Sequence, residues 1–324
     1  MKVIRTVRGD MAPEELGITA THEHLICNQA LCRSNEDFPP SPRGLMIFQD
    51  VDLIVTELSY FYAAGGRAVA EMTVHGWGRD VAALQQISER TGVHVIGCSG
   101  FYVEECHPDF VAESSIEELA DFLVSELIVG ADGTDIRTGV LKSGVGRPVI
   151  EGADEKCARA VALAHKRTGF AITTHTSGNM RFEIEGGNLG MQHLDLFEAE
   201  GVDPTRVIIG HTDENVDIRQ LSRLAQRGAY VQFDVISMTW WLLDETRVEL
   251  LCQMVDRGYE DHLLLSSDRC ALRLLKAGGG PGYDHVLRNF VPRLREAGFD
   301  DALLNRILVQ NPARALAVET TAIQ

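Results

Sequence analysis

Two histidines one residue apart, His22 and His24 in the stretch ITATHEHL, are the first residues here that could do chemistry. On an extended chain, side chains two apart point to the same side, so both imidazoles can meet one ion. Alone, such a pair is a weak sign of metal binding. Four more residues sit at or near the ends of apolar runs: Lys142 in TGVLKSG, His175 in AITTHTS, His211 in RVIIGHTDE and Asp268 in LLLSSD. Each has a plain structural alternative: a histidine satisfied in the core, an aspartate capping a turn, a lysine that snorkels or pairs with an acid. Jointly, four imidazoles and a carboxylate make a zinc-type ligand set. A lysine buried among them is pushed towards its neutral amine. That amine can add carbon dioxide to become a carbamate, whose two oxygens suit two cations.

The elements that must carry these residues follow a rhythm of helix, glycine, strand. Gly65, Gly92, Gly169, Gly228 and Gly258 each close an amphipathic segment and precede an apolar run. Glycine suits the left-handed turn that ends a helix, and a continuous apolar run suits a parallel strand buried on both faces. Eight strands are expected near 18–25, 67–74, 93–99, 138–142, 170–175, 206–211, 229–234 and 262–268. Helices are expected near 50–64, 79–91, 115–129, 154–167, 188–200, 213–227, 245–257 and 284–297, with Ser115 and Glu118 as a capping box. Eight such units in 324 residues predict an α/β fold of the (β/α)8 TIM-barrel type, as one domain over 1–324. An open doubly wound sheet would carry a glycine-rich turn after its first strand, where this chain has THEHL. In a barrel, catalytic groups gather at the C-terminal ends of the strands, and the six residues above lie at those ends. The longest irregular pieces, 26–49 and 269–283, follow strands 1 and 8 and belong to the same face.

A formal net charge of −17 argues against nucleic acid or an anionic membrane as partner. MKVIRTVRGD lacks the apolar core of a signal peptide, and no apolar run reaches the length of about 18 residues that a membrane span needs. A cytoplasmic protein is expected. The seven cysteines form no CxxC pair, so reduced, mostly buried thiols are expected.

Taken in order, ITATHEHL, GRDVAALQQISERTGVHVIGCSGFY, IRTGVLKSG, AITTHTS, RVIIGHTDE, LLLSSD, GGGPGYDHVLRNFVPRLREAGF and QNPARAL resemble the phosphotriesterase family of the amidohydrolase superfamily, over nearly the whole chain. The resemblance implies two divalent metal ions, zinc by ligand type with cobalt or manganese also fitting. His22, His24 and Asp268 would hold the more buried ion, and His175 and His211 the more exposed one. Lys142, as N6-carboxylysine, and a hydroxide would bridge them, with Asp268 taking up the proton. It also implies a homodimer.

Two departures bear on substrate. Members with strong organophosphate activity carry a histidine after the strand-7 aspartate, where this chain has Val235 after Asp234. Their leaving-group wall is a tryptophan, where this chain offers Tyr102. The expected activity is therefore hydrolysis of a small-molecule carboxylic ester, a lactone first, by a metal-bridging hydroxide. N-acyl amine or amide hydrolysis and phosphotriester hydrolysis are the alternatives. A mononuclear deaminase would not need Lys142, and a ligand-binding barrel would need a broken ligand set. Further candidates are Asp234 as a pocket residue and Arg273, Lys276 and Tyr283 as holders of an anionic substrate group or members of a solvated loop. Asp213 would orient a histidine or cap helix 6. Trp240 and Trp241 would form a lid, a subunit contact or core.

Overall fold

The computed structural model describes residues 1–32, 46–176 and 188–320. Eight parallel strands form one sheet: β1 (Thr19–Glu23), β2 (Ala68–Glu71), β3 (His94–Phe101), β4 (Val140–Gly144), β5 (Ile172–His175), β6 (Val207–Ile209), β7 (Tyr230–Phe233) and β8 (Leu263–Leu265). Each ladder joins sequence neighbours in parallel register, as in Lys142 opposite Thr173 and Val231 opposite Leu263. The last strand returns to the first through scattered bonds instead of a ladder. Thr21 Oγ1 donates to Leu265 O at 3.4 Å, the His22 N–H to Ser266 Oγ at 2.9 Å, and the Asp268 N–H to His22 O at 3.2 Å. The result is a nearly closed (β/α)8 barrel, as the helix–glycine–strand rhythm predicts.

Helices α1 (Val51–Ala63), α2 (Val81–Thr91), α3 (Ile116–Ile128), α4 (Gly152–Thr168), α5 (Leu189–Ala199), α6 (Ile218–Gln226), α7 (Asp244–Asp256) and α8 (Val291–Glu296) flank the strands. Gly92 and Gly169 cap α2 and α4 at φ +74° and +73°, a region costly for any side chain with a Cβ. The capping box of α3 forms: Ser115 Oγ accepts the Glu118 N–H at 3.2 Å, and Glu118 Oε2 accepts the Ser115 N–H at 2.8 Å. The expected helix at 284–297 is a π turn, Val286–Phe290, followed by α8. Pro292 lacks the N–H a continuous helix needs there. At the far end of the barrel, Lys2–Thr6 pairs with both Gly9–Met11 and Val318–Glu319, a small sheet the sequence rhythm does not announce.

The two-residue repeat of the strands sorts side chains into layers. Val207, Ile209, Val231, Phe233, Leu263 and Leu265 pack outward with Leu221, Leu224, Leu250 and Leu251 of the helices. Between them, Ala20, Val140, Ala171, Ile208, Tyr230 and Leu264 form an apolar floor inside the barrel. Two residues further on, the lining turns polar: His22, Lys142, Thr173, Gln232 and Ser266, all buried. Above these stand His24, Asp234 and Asp268.

One expectation about the cysteines is corrected. Cys32 and Cys106 are bonded to each other, with Cα atoms 4.2 Å apart and a sequence separation of 74. The loops after β1 and β3 meet over the short loop after β2, an approach spacing alone does not reveal. The expected irregular stretch 26–49 is described only in part. Its described ends pair as short antiparallel strands, Cys27–Asn28 with Ile47–Phe48, and 33–45 lies outside the described residues.

Candidate metal centre

β6 and β8 end earlier than the apolar runs suggest, and this shapes the site. His211 lies two residues past β6 at φ +54°, and Asp268 three residues past β8 at φ +46°. Both are left-handed turns, uncommon for residues other than glycine. The turns swing these side chains inward over the barrel axis.

Two groups of ligands result. Ligand atoms of His22, His24 and Asp268 all lie within 4.8 Å of one another, with His24 Nε2 3.3 Å from Asp268 Oδ1. His175 Nδ1 and His211 Nε2 face each other at 2.7 Å. The His22 and His211 rings, one from each group, have centroids 5.0 Å apart. Lys142 is fully buried on β4, and its Nζ donates to Met72 O at 2.8 Å. Burial pushes this ammonium below its ordinary pKa, against the pull of Cys98, Asp268, Glu71 and Asp234.

The outer nitrogen of each histidine has a polar neighbour, and that selects which ring nitrogen faces inward. His24 Nδ1 bonds Thr73 Oγ1 at 2.7 Å, leaving Nε2. His211 Nδ1 bonds Asp234 Oδ1 at 2.8 Å, leaving Nε2. His175 Nε2 bonds the Tyr102 hydroxyl at 3.2 Å, leaving Nδ1. His22 Nδ1 lies 2.9 Å from Asp234 Oδ2 but out of line for a hydrogen bond.

The buried polar atoms test whether metal ions fit. Both His22 nitrogens, Asp234 Oδ2 and Asp268 Oδ1 lack a hydrogen-bond partner. Unpartnered buried polar groups are costly, and divalent cations among imidazoles and carboxylates supply the missing interaction. The donor set therefore fits.

The charges are strongly shifted. Burial holds His24 down to about 3 and His175 well below its ordinary range. Burial opposes the charge of His211 too, but the Asp234 carboxylate overrides it and lifts His211 to about 9. Burial also works against the Asp234 anion, yet His211 and His22 hold it down to about 2. Asp268 is likewise held low despite burial, by the nearby imidazoles of His24 and His22.

Several groups near the ligands escaped the sequence reading. Trp77 stacks on Tyr102 with ring centroids 4.9 Å apart, and its edge meets His24 at 4.5 Å. Glu71 accepts the N–H groups of Leu25 and Thr73, both at 3.1 Å. Glu23 sits between the two motif histidines and points away from them. Only its place inside HEH could have hinted at a role. Asp213 does neither of the things expected of it. It accepts the Asp234 N–H at 3.0 Å and pairs with Arg247 at 2.7 Å, while Asp217 caps α6.

The strand-8 loop candidates take other partners than a substrate anion would need. Arg273 is exposed and lies 5.4 Å over the ring of Trp240. Lys276 pairs with Asp284 at 3.0 Å. Tyr283 is buried, and its hydroxyl donates to His24 O at 2.6 Å. Trp240 is exposed and Trp241 half-buried. Elsewhere, ligand atoms of His75, Glu126 and Asp132 come together. Both carboxylates there already enclose the guanidinium of Arg79, so that cluster has its cation.

A (β/α)8 barrel with two histidine-rich ligand groups and a buried lysine at its C-terminal end defines a class: barrel hydrolases of the binuclear-metal kind. The chain matches the Phosphotriesterase family model over residues 2–316. It is 34% identical to the phosphotriesterase homology protein of Escherichia coli K12, over 94% of this chain and 99% of that one. It is 32% identical to the N-acetyltaurine hydrolase of Rattus norvegicus, over 97% of each. Among solved structures, a lactonase from Listeria monocytogenes superposes with a TM-score of 0.88 at 28% identity, covering 98% of this chain and all of that one. The chain belongs to the phosphotriesterase family, and membership makes it a hydrolase.

Proposed function

We propose that this chain is a binuclear-metal hydrolase of carboxylic esters, with lactones as the favoured substrates. The carrying observation is the pairing of two ligand groups, His22–His24–Asp268 and His175–His211, around unpartnered buried atoms. Zinc fits these ligands, as would cobalt or manganese. When bound, two ions activate water near neutral pH and polarise a substrate carbonyl.

The chain's residues supply the rest. Lys142, whose burial lowers its ammonium pKa, would as a carbamate join the two ligand groups as an anion. Asp268 stays ionised, has one oxygen without a hydrogen-bond partner, and can accept a proton. Asp234, an acceptor only, holds His211 in its tautomer, and the Tyr102 hydroxyl orients the His175 ring. Val235 is a buried apolar residue beside Asp234, so no histidine at that position carries the proton outward. The proton from Asp268 then passes to water or to the leaving group. A lactone suits this arrangement, since its alkoxide stays tethered and needs less help to depart than an amine. Family likeness supports a single-domain homodimer acting on small molecules, and the net charge of −17 argues against nucleic acid or anionic membrane partners. Among the described residues no helix is long and apolar enough to cross a membrane.

The N-acetyltaurine hydrolase relatives favour a second reading, hydrolysis of an N-acyl amine at the same centre. Purified protein of measured metal content, assayed on lactones, N-acyl amino compounds and a phosphotriester, separates the readings. About two metals per chain and fastest turnover on lactones support the first. Turnover confined to amides replaces it with the second. A full metal complement with no turnover on any of the three points to a ligand-binding barrel.

A further inference from the structure

Asp268 is the ligand candidate with the least support from its own strand. β8 ends at Leu265, and Asp268 stands in the left-handed region at φ +46°. Aspartate tolerates that conformation better than most residues, but a single arrangement of it still needs contacts from its surroundings. The surroundings here come from β1. Glu23 Oε1 accepts the Ser267 N–H at 2.9 Å and the Ser267 hydroxyl at 2.7 Å, and lies 2.9 Å from Ser266 Oγ. Glu23 Oε2 accepts the Arg269 N–H at 2.8 Å. Between these, the Asp268 N–H donates to His22 O at 3.2 Å. Three consecutive amides, 267 to 269, thus all end on residues 22 and 23.

We infer that Glu23 is a positioning residue that fixes Asp268 relative to His22 and His24. Its carboxylate ties both backbone flanks of the third ligand to the strand that carries the first two. Alternation along β1 makes this possible: His22 and His24 point to the ions, and the residue between them points to the neighbouring strand end. A carboxylate suits the task because it is acceptor-only on both oxygens and faces donors on each. Glutamine does not. Its amide NH2 would face either the Arg269 N–H or the Ser267 N–H, setting donor against donor. Glu23→Gln therefore frees at least one flank of Asp268 while keeping size and shape.

The inference rests on the metal-centre reading, and the test separates the two. Apo wild-type, Glu23→Gln and His24→Asn proteins are titrated with Co(II) by visible absorption, and apo thermal unfolding is recorded for each. The step weakened in His24→Asn identifies the more buried ion. In Glu23→Gln the same step should weaken about tenfold or more, the range seen when outer partners of metal ligands are lost. The other step and the apo unfolding temperature should stay close to wild type, and the Arg269 amide should exchange hydrogen faster. Two unchanged steps in Glu23→Gln overturn the inference and leave the metal centre standing. Equal weakening of both steps with a lowered apo unfolding temperature also overturns it, since that is loss of structure. A wild-type chain that takes up no Co(II) removes the metal centre and the inference with it.

Discussion

Asp234 and His211 are joined twice: one carboxylate oxygen, Oδ1, accepts the His211 backbone N–H at 2.9 Å and its ring Nδ1–H at 2.8 Å. The second oxygen lies 2.9 Å from His22 Nδ1. One aspartate at the end of β7 thus holds His211 and lies beside His22 of the other ligand group.

Replacing that carboxylate by an amide should be costly. In Asp234→Asn the negative charge beside His211 and His22 is lost, and one carboxylate oxygen becomes a donor. Metal affinity is expected to fall about 10- to 100-fold, with a comparable loss of kcat/KM. Chelator competition and steady-state kinetics on the best substrate check this. Wild-type affinity would show that Asp234 does not set the tautomers.

Lys142 offers a chemical test of the carbamate. Lys142→Met keeps the length, removes the amine and should leave a folded chain that holds fewer ions and has lost most of its turnover. In the wild type, apo protein in CO2-depleted buffer should take up its full metal complement slowly, and added bicarbonate should speed it. Metal uptake indifferent to bicarbonate, with an active Lys142→Met, would remove the bridging lysine.

Asp154 makes stability depend on pH. It is buried on α4, with one oxygen unpartnered. Burial lifts its carboxyl to about 7 from the ordinary 3.8, against the Gly146 N–H. The folded state then holds a proton that the unfolded state gives up earlier. Its contribution is intact below about pH 4, declines as pH rises to about 7 and is flat above. Asp154→Asn should unfold later than wild type at pH 8, by on the order of 2 kcal/mol. The difference should vanish near pH 4. Equal differences at both pH values would rule out this titration.

The cysteines can be counted. Unfolded without reductant, the chain should show the five thiols left by the Cys32–Cys106 bridge, and all seven after reduction. In the native state Cys27, Cys98 and Cys157 are buried, so thiol reagents should reach Cys252 and Cys270 first. Cys106→Ser opens a loop spanning 74 residues, a loss of about 4 kcal/mol by chain-entropy arithmetic. Seven thiols in the unreduced chain would show the bridge to be absent.

The barrel and its six ligand candidates were legible in the linear order because both signals are local. Strand and helix periods repeat every few residues, and His22, His24, Lys142, His175, His211 and Asp268 each lie near the end of an apolar run. Sequence by itself placed these residues at the ends of strand-like runs, since alternation along a strand and chain direction are local features. Tertiary structure decided what stands behind them. Thr73 behind His24, Asp234 behind His211, Tyr102 behind His175 and the meeting of Cys32 with Cys106 join segments from 23 to 74 residues apart in the chain. It also withdrew Lys276 and Tyr283, which turn to Asp284 and to the backbone of His24. The physical reason is that a hydrogen bond or disulfide needs atoms within a few ångströms in a fixed direction. Only the packing of neighbouring strand ends and their loops, with the left-handed turn at His211, sets those directions.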